Sequence, residues 1–175
     1  MNVTPLISAE TIQRRVAELA DALSRRYAER EVVLLVVLKG GIVFAADLMR
    51  RMTIPVVIDF VRARSYEGTE SNGAVELTFS PETPLEGRDV IIVEDILDTG
   101  QTSHAIREWV RAKQPASVAL CVLLDKPSRR RVDIEADFTG LVIDDHFVVG
   151  YGLDYEQQGR QFPDIGVLNG KERSI

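Results

Sequence analysis

The chain has 175 residues, a net charge of −6 and a pI near 5.0, with 45% apolar and 27% charged residues. This is ordinary globular composition, which excludes a disordered or low-complexity chain, and the length suits a single domain over 1–175 whose core needs no disulfide or metal staple. The acidic balance argues against sequence-independent nucleic-acid binding, which needs an extended positive field, but it leaves room for small anions held by a few backbone amides, a lysine and a metal ion.

The longest apolar runs, Val32–Leu38 and Val118–Leu124, fall far short of a membrane span. The N-terminus lacks the basic-then-apolar pattern of a secretory signal. Cys121 is the single cysteine, so no intrachain disulfide forms and a reducing cytoplasm is expected.

In chain order, Ile12, Val16, Leu19, Ala20, Leu23 and Tyr27 recur at helical spacing, with Ser8 as a cap and Glu10 in the first turn. Val32–Leu38 has no polar alternation, which predicts a strand buried on both faces. Gly40-Gly41 ends it, a helix is expected over 42–52, and a further strand over 56–61. Residues 62–74 are polar and contain glycine; so long a loop in a compact domain reads as a lid or binding loop, and Asn72-Gly73 is a hairpin signal. Val75, Leu77 and Phe79 alternate with polar residues, as in a half-exposed strand. Val90–Val93 is another buried strand, polar residues 94–102 follow, and a helix is expected over 103–112, stopped by Pro115. Ser117–Leu124 repeats the buried-strand pattern. Arg129-Arg130-Arg131 reads as a solvated turn, and short extended pieces are expected over 141–143, 147–149 and 165–168. Alternating strands and helices predict an α/β fold with a mostly parallel sheet flanked by helices. In such sheets ligands sit at the carboxyl ends of the strands.

The strand ending at Val93 is followed by Glu94-Asp95-Ile96-Leu97-Asp98-Thr99-Gly100-Gln101-Thr102 and then a helix. Amides at a helix N-terminus, the helix dipole and two hydroxyls make an anion cradle, and Gly100 lets the backbone approach a phosphate closely. Carboxylates beside a phosphate make sense if they hold sugar hydroxyls and Mg2+, which combines carboxylates with substrate oxygens. Asp98, set apart from the acid pair, is positioned as a proton acceptor. The plainer alternative makes Thr102 a helix cap and the acids solvated loop residues. His104 and His146 have no metal-ligand spacing.

Val90–Thr102 resembles the phosphoribosyl pyrophosphate signature of type I phosphoribosyltransferases, and with Asp98 it looks most like the hypoxanthine–guanine branch. Four more segments match in order: Leu38-Lys39-Gly40-Gly41, Ser65-Tyr66 with Gly68-Thr69 and Ser71, Leu124-Asp125-Lys126-Pro127, and Phe147–Tyr155 with Arg160. The resemblance implies a type I phosphoribosyltransferase-like fold with a small base-binding hood. It implies transfer of phosphoribose from phosphoribosyl pyrophosphate to hypoxanthine or guanine, giving IMP or GMP and pyrophosphate.

Carried onto this sequence, Glu94 and Asp95 would meet the ribose hydroxyls and Mg2+, while Thr99, Gly100, Gln101 and Thr102 would wrap the 5′-phosphate. Asp98 would act as acid/base near purine N7. Lys39 and Gly40 would present amides to pyrophosphate through a Lys39–Gly40 peptide that is often cis in the family. Lys126 would donate to the purine 6-oxo group, Phe147 would stack on the ring, and Val148 would offer backbone groups to its Watson–Crick edge. Asp154 would hold a second Mg2+, Arg160 would contact pyrophosphate, and Ser65 and Tyr66 would close the lid. The Gln101 side chain, at a variable family position, is not expected to be essential. Arg62 and Arg64 are more basic than the pattern and could steer phosphates. The family implies a homodimer or homotetramer, with no membrane or nucleic-acid partner. The competing class is a nucleotide-sensing RNA-binding regulator on the same fold, which Asp98 and the Phe147–Asp154 segment oppose.

Overall fold

The computed structural model describes residues 1–65 and 75–170. Its elements are β1 (Val3–Ile7), α1 (Ala9–Arg26), β2 (Val32–Val37), α2 (Gly41–Met49), β3 (Val56–Ser65), β4 (Val75–Phe79), β5 (Asp89–Leu97), α3 (Gln101–Arg111), β6 (Ser117–Asp125), β7 (Phe138–Val142), β8 (Val148–Val149) and β9 (Ile165–Leu168). A short 3-10 turn, Pro127–Arg129, follows β6.

The main sheet has the order β4-β3-β2-β5-β6-β7. Its last five strands run parallel, and β4 is an antiparallel edge. Every residue of β2 is buried, because it lies inside a sheet covered on both faces. One core joins α1, α2 and residues such as Leu34, Ile91 and Val93. The other joins α3 to Val33, Ile92 and Leu120. Helix α1 starts where Ser8 Oγ accepts the Thr11 N–H at 3.2 Å. Glu10 in its first turn and Arg25 and Arg26 in its last suit the helix dipole.

Several sequence boundaries are corrected. The expected lid begins too early at 62, since Arg62–Ser65 continue β3 by pairing with Phe79, Leu77, Glu76 and Val75. An antiparallel ladder with one open face carries polar residues without cost. The core of the expected lid, including Tyr66 and the Asn72-Gly73 turn, lies outside the described residues. Likewise β5 runs through Leu97, so Glu94 and Asp95 stand in the strand rather than after it. Helix α2 ends at Met49, not 52, where the Arg51 N–H bonds Leu48 O and the chain tightens. Strand β1 is missing from the sequence reading because three of its five residues are exposed and one is Pro5.

A second, three-stranded antiparallel sheet has the order β1-β9-β8. It forms the hood, whose flanking segments reach the carboxyl ends of the main strands, where Lys126 Nζ donates to His146 O and Gly152 packs on Gly40 O; the Asn169 N–H bonds Asn2 O at 3.0 Å beside it. The hood is tied to the main body through Tyr151, whose hydroxyl donates to Asp47 Oδ2 at 2.6 Å. Gln13 Nε2 donates to the same oxygen at 2.8 Å. Burial alone would raise the Asp47 carboxyl, but the bonds from Tyr151, Gln13 and Arg50 bring it below its usual range.

Tyr151→Phe should therefore cost ~1–3 kcal/mol, since it removes a hydrogen bond to a part-buried carboxylate, which keeps only its Gln13 and Arg50 partners. A carboxyl whose folded pKa is depressed gives stability that is present above its unfolded value and lost as pH falls through the folded one. Denaturant titrations should show the full penalty near neutral pH, shrinking below the ordinary value of 3.8.

Candidate active site

Strand β5 delivers Asp98-Thr99-Gly100 directly into α3. Gly100 is the residue that caps the helix, at φ +82° and with no side-chain cap bond. A Cβ there would lie 2.5 Å from Ile134 Cγ2, so packing as well as backbone conformation demands glycine. Helix α3 thus starts two residues earlier than the sequence reading. Thr102 lies inside its first turn and is not the cap, while Thr99 Oγ1 accepts the Gln101 N–H at 3.5 Å. Thr99, Gly100, Gln101 and Thr102 together form a turn at a helix N-terminus, the arrangement that suits an anion.

The acid pair is divided by the strand's pleat. Glu94 turns toward α3, where Ser103 Oγ donates to it. It is 7% exposed, and burial, aided by the neighbouring Asp95 charge, pushes its carboxyl up to about 8 against the Ser103 bond. Asp95 points the other way, so close over Gly40 that a Cβ on that glycine would meet its carboxylate. Burial pushes Asp95 up to about 6, with Arg160 opposing and Asp154 reinforcing the shift.

Around Asp95 the structure gathers Lys39, Gly40, Asp154 and Arg160 from distant parts of the chain. The cis peptide is Leu38–Lys39, one bond before the Lys39–Gly40 peptide expected from the resemblance. It falls where the β2 ladder ends, at the Leu38 N–H to Val61 O bond. Lys39 Nζ donates to Gln157 Oε1 at 2.9 Å. Arg160 pairs with Asp154 at 2.6 Å and donates to Gly152 O at 2.6 Å. The Gln157 N–H holds the other Asp154 oxygen at 2.7 Å.

The other group of candidate residues lies across β5 and β6. Lys126 is only 2% exposed, its ammonium donating to His146 O and lying 3.9 Å from Asp145 Oδ1. Arg129 Nε donates to Asp98 Oδ1 at 3.3 Å, and its guanidinium is 3.5 Å from Asp145 Oδ2. Asp98 and Lys126 are therefore linked through Arg129 and Asp145. Phe147 meets Tyr155 edge-on, with ring centroids 5.8 Å apart. Val148 is buried and pairs with Val167 in the hood.

The basic turn is corrected in turn. Arg129 and Arg130 are part-buried, not solvated. Arg130 donates to the carbonyls of Leu97, Asp98 and Lys126 and to the Asp125 carboxylate. The available signal was position: a basic run directly after a buried strand faces carbonyls that the ladder no longer satisfies. Ser65 lies at the end of β3; its side chain and all of Tyr66 lie outside the described side chains.

Among the described residues no three acid, imidazole or thiol groups converge on one point. Mg2+ does not need such a cage, since it keeps several waters and takes one or two carboxylates plus substrate phosphates. The oxygen-only donors Asp95, lying over Gly40, and Asp154, paired with Arg160, fit that mode. Glu94, held by Ser103 on the other face, fits it less directly.

A parallel sheet thus carries an anion-type turn after one strand, a buried lysine after its neighbour, and a small second sheet beside them. The chain belongs to the phosphoribosyltransferase family: residues 6–156 match the phosphoribosyl transferase domain. It is 42% identical over 167 residues to a hypoxanthine phosphoribosyltransferase of Salmonella typhimurium, covering 94% of each chain. It is 43% identical over 164 residues to a hypoxanthine-guanine phosphoribosyltransferase of Bacillus subtilis, covering 93% of this chain and 91% of the relative. A crystal structure of a hypoxanthine-guanine phosphoribosyltransferase from Bacillus anthracis superposes with a TM-score of 0.92 at 41% identity, covering 95% of this chain and 99% of that one. The fold is the type I phosphoribosyltransferase fold, α/β with a mainly parallel central sheet.

Proposed function

We infer that the protein is a purine-salvage enzyme that joins hypoxanthine or guanine to phosphoribosyl pyrophosphate, giving IMP or GMP and pyrophosphate. The relatives above support this reading, and none of them supports the RNA-binding regulator. The observation that carries it is a buried Lys126 and Asp98 on neighbouring strand ends, linked through Arg129 and Asp145, beside a phosphate-type turn.

The 5′-phosphate rests on the Thr99–Thr102 turn, where the helix dipole favours negative charge. Pyrophosphate lies toward Lys39, Gly40 and Arg160. Glu94 and Asp95 meet the ribose hydroxyls. Bond formation at N9 of a neutral purine requires loss of a ring proton, and Asp98 beside N7 accepts or stabilises it. Phe147 stacks on the ring, and Val148 offers its backbone to the Watson–Crick edge. A lid that includes Ser65 and Tyr66 excludes water from an oxocarbenium-like transition state. Asp95 and Asp154 would each hold Mg2+ together with substrate oxygens, and the metal would supply charge neutralisation for the leaving pyrophosphate. Assembly as a homodimer or homotetramer and a cytoplasmic location complete the proposal; the buried, unbridged Cys121 agrees with a reducing compartment.

The test is nucleotide formation with phosphoribosyl pyrophosphate and Mg2+, offering hypoxanthine, guanine, xanthine, adenine and uracil separately. Turnover with hypoxanthine or guanine is expected. No turnover with any base would overturn the reading. Omitting Mg2+ should abolish the reaction. Lys126→Ala should erode the preference for 6-oxopurines over adenine by ~10-fold or more, because a site built to donate to the oxo group rejects an analogue lacking the acceptor. An unchanged ratio of kcat/KM values would count against that role.

A further inference from the structure

We propose that Arg130 is a positioning residue that fixes the separation between Asp98 and Lys126, and so sets both the rate of transfer and the choice of base. This deepens the functional reading above and rests on it.

Strands β5 and β6 are in register as far as Leu97 and Asp125, and the Lys126 N–H to Leu97 O bond at 3.0 Å closes the ladder. Beyond it the two chains diverge, one into the phosphate turn and the other into the Pro127–Arg129 turn. Carbonyls at such a divergence have lost their strand partners. The Arg130 guanidinium occupies the fork. One terminal nitrogen donates to Leu97 O at 2.8 Å, to Asp98 O, and to Lys126 O at 3.3 Å. The other donates to the Asp125 carboxylate, and Nε donates to Ile134 O at 3.2 Å. The side-chain stem runs close to Gly100, where a Cβ would lie 3.3 Å from Arg130 Cδ. The next residue adds a backbone tie, from the Arg131 N–H to Thr99 O at 2.9 Å.

One rigid, planar group therefore binds the main chain of both residues proposed to face the purine. Lysine could not do this, because a single ammonium on a flexible stem replaces a fork of fixed geometry. None of the hydrogen bonds of Arg130 reaches Lys39, Asp154 or Arg160 on the pyrophosphate side. Its removal should disturb one half of the site and spare the other.

The test compares Arg130→Lys with the native protein in steady-state kinetics, pyrophosphate titration calorimetry and thermal melting. A misplacement of about an ångström is worth ~100-fold in rate, and a loss of that order in kcat is expected with hypoxanthine. The hypoxanthine-over-adenine ratio should fall as well, while pyrophosphate affinity stays unchanged. A purely structural role would instead lower the melting temperature, weaken pyrophosphate binding in parallel and leave the kcat of folded molecules intact; that result would overturn the proposal. Asp125→Asn keeps the carbonyl acceptors but removes the charge that orients the guanidinium. It should show the same split at smaller size, and it carries the test if Arg130→Lys does not fold. If native protein makes no nucleotide from any purine, the functional reading itself falls, which is a different result from an active native protein with an unimpaired Arg130→Lys.

Discussion

Asp98→Asn is expected to slow nucleotide formation by ~100- to 10,000-fold, the usual worth of a positioned general acid or base, while phosphoribosyl pyrophosphate binding is almost unaffected. Asn keeps the size of the side chain and can still accept from Arg129 Nε, now 3.3 Å from Asp98 Oδ1. The phosphate turn beyond it, pinned through the Asp98 and Thr99 carbonyls, should hold its shape. What is lost is the ability to take a proton. Pre-steady-state kinetics should place the loss in the chemical step. A variant with native kcat would remove Asp98 from the mechanism.

The second large effect is expected from Gly152→Ala. Gly152 has φ +99°, and a Cβ on it would lie 2.3 Å from the carbonyl oxygen of Gly40. Left-handed strain costs ~1–3 kcal/mol for a residue other than glycine, and forced overpacking costs a further ~1–3 kcal/mol. The clash is backbone against side chain at the point where the hood touches the Lys39–Gly40 segment proposed to hold pyrophosphate, so relief requires moving one of them. The prediction is a marked fall in melting temperature together with weaker pyrophosphate binding. Gly87→Ala is the control, since Gly87 has φ +67° but nothing within 4 Å of its would-be Cβ. It should show the conformational penalty and native pyrophosphate affinity. If the two variants behaved alike, the contact between Gly152 and Gly40 would have no part in binding.

The parallel core was legible because β2, β5 and β6 are continuous apolar runs, and only a sheet covered on both faces makes such runs favourable. Strand β1 was not legible, because a short edge strand with Pro5 at its centre and Thr4, Pro5 and Leu6 all exposed carries no alternation. The ends of β3 and β5 were misread for a related reason: ladder pairing, not hydrophobicity, extends them. The candidate residues were found because they follow strand ends in an α/β sheet and because their motifs resemble a known family. The partners that orient them were hidden. Ser103 against Glu94 and Gly152 against Gly40 are contacts made by tertiary folding that leave no trace in the spacing along the chain; for Arg130 the one signal was its place directly after a buried strand.

The pairing of β9 with β1 and β8 has a consequence for how the protein becomes active as it is made. The phosphate turn, Lys126 and the sheet beneath them are complete by residue 142. Phe147, however, is anchored by the Leu168 N–H on its carbonyl at 2.9 Å, and among the described residues β1 pairs only with β9. A domain folds as a unit, so during synthesis β1 keeps unpaired edge groups until the segment 165–168 can join it. A chain truncated before residue 165 should therefore lose the hood, and with it the proposed grip on the purine, more completely than its hold on phosphate groups.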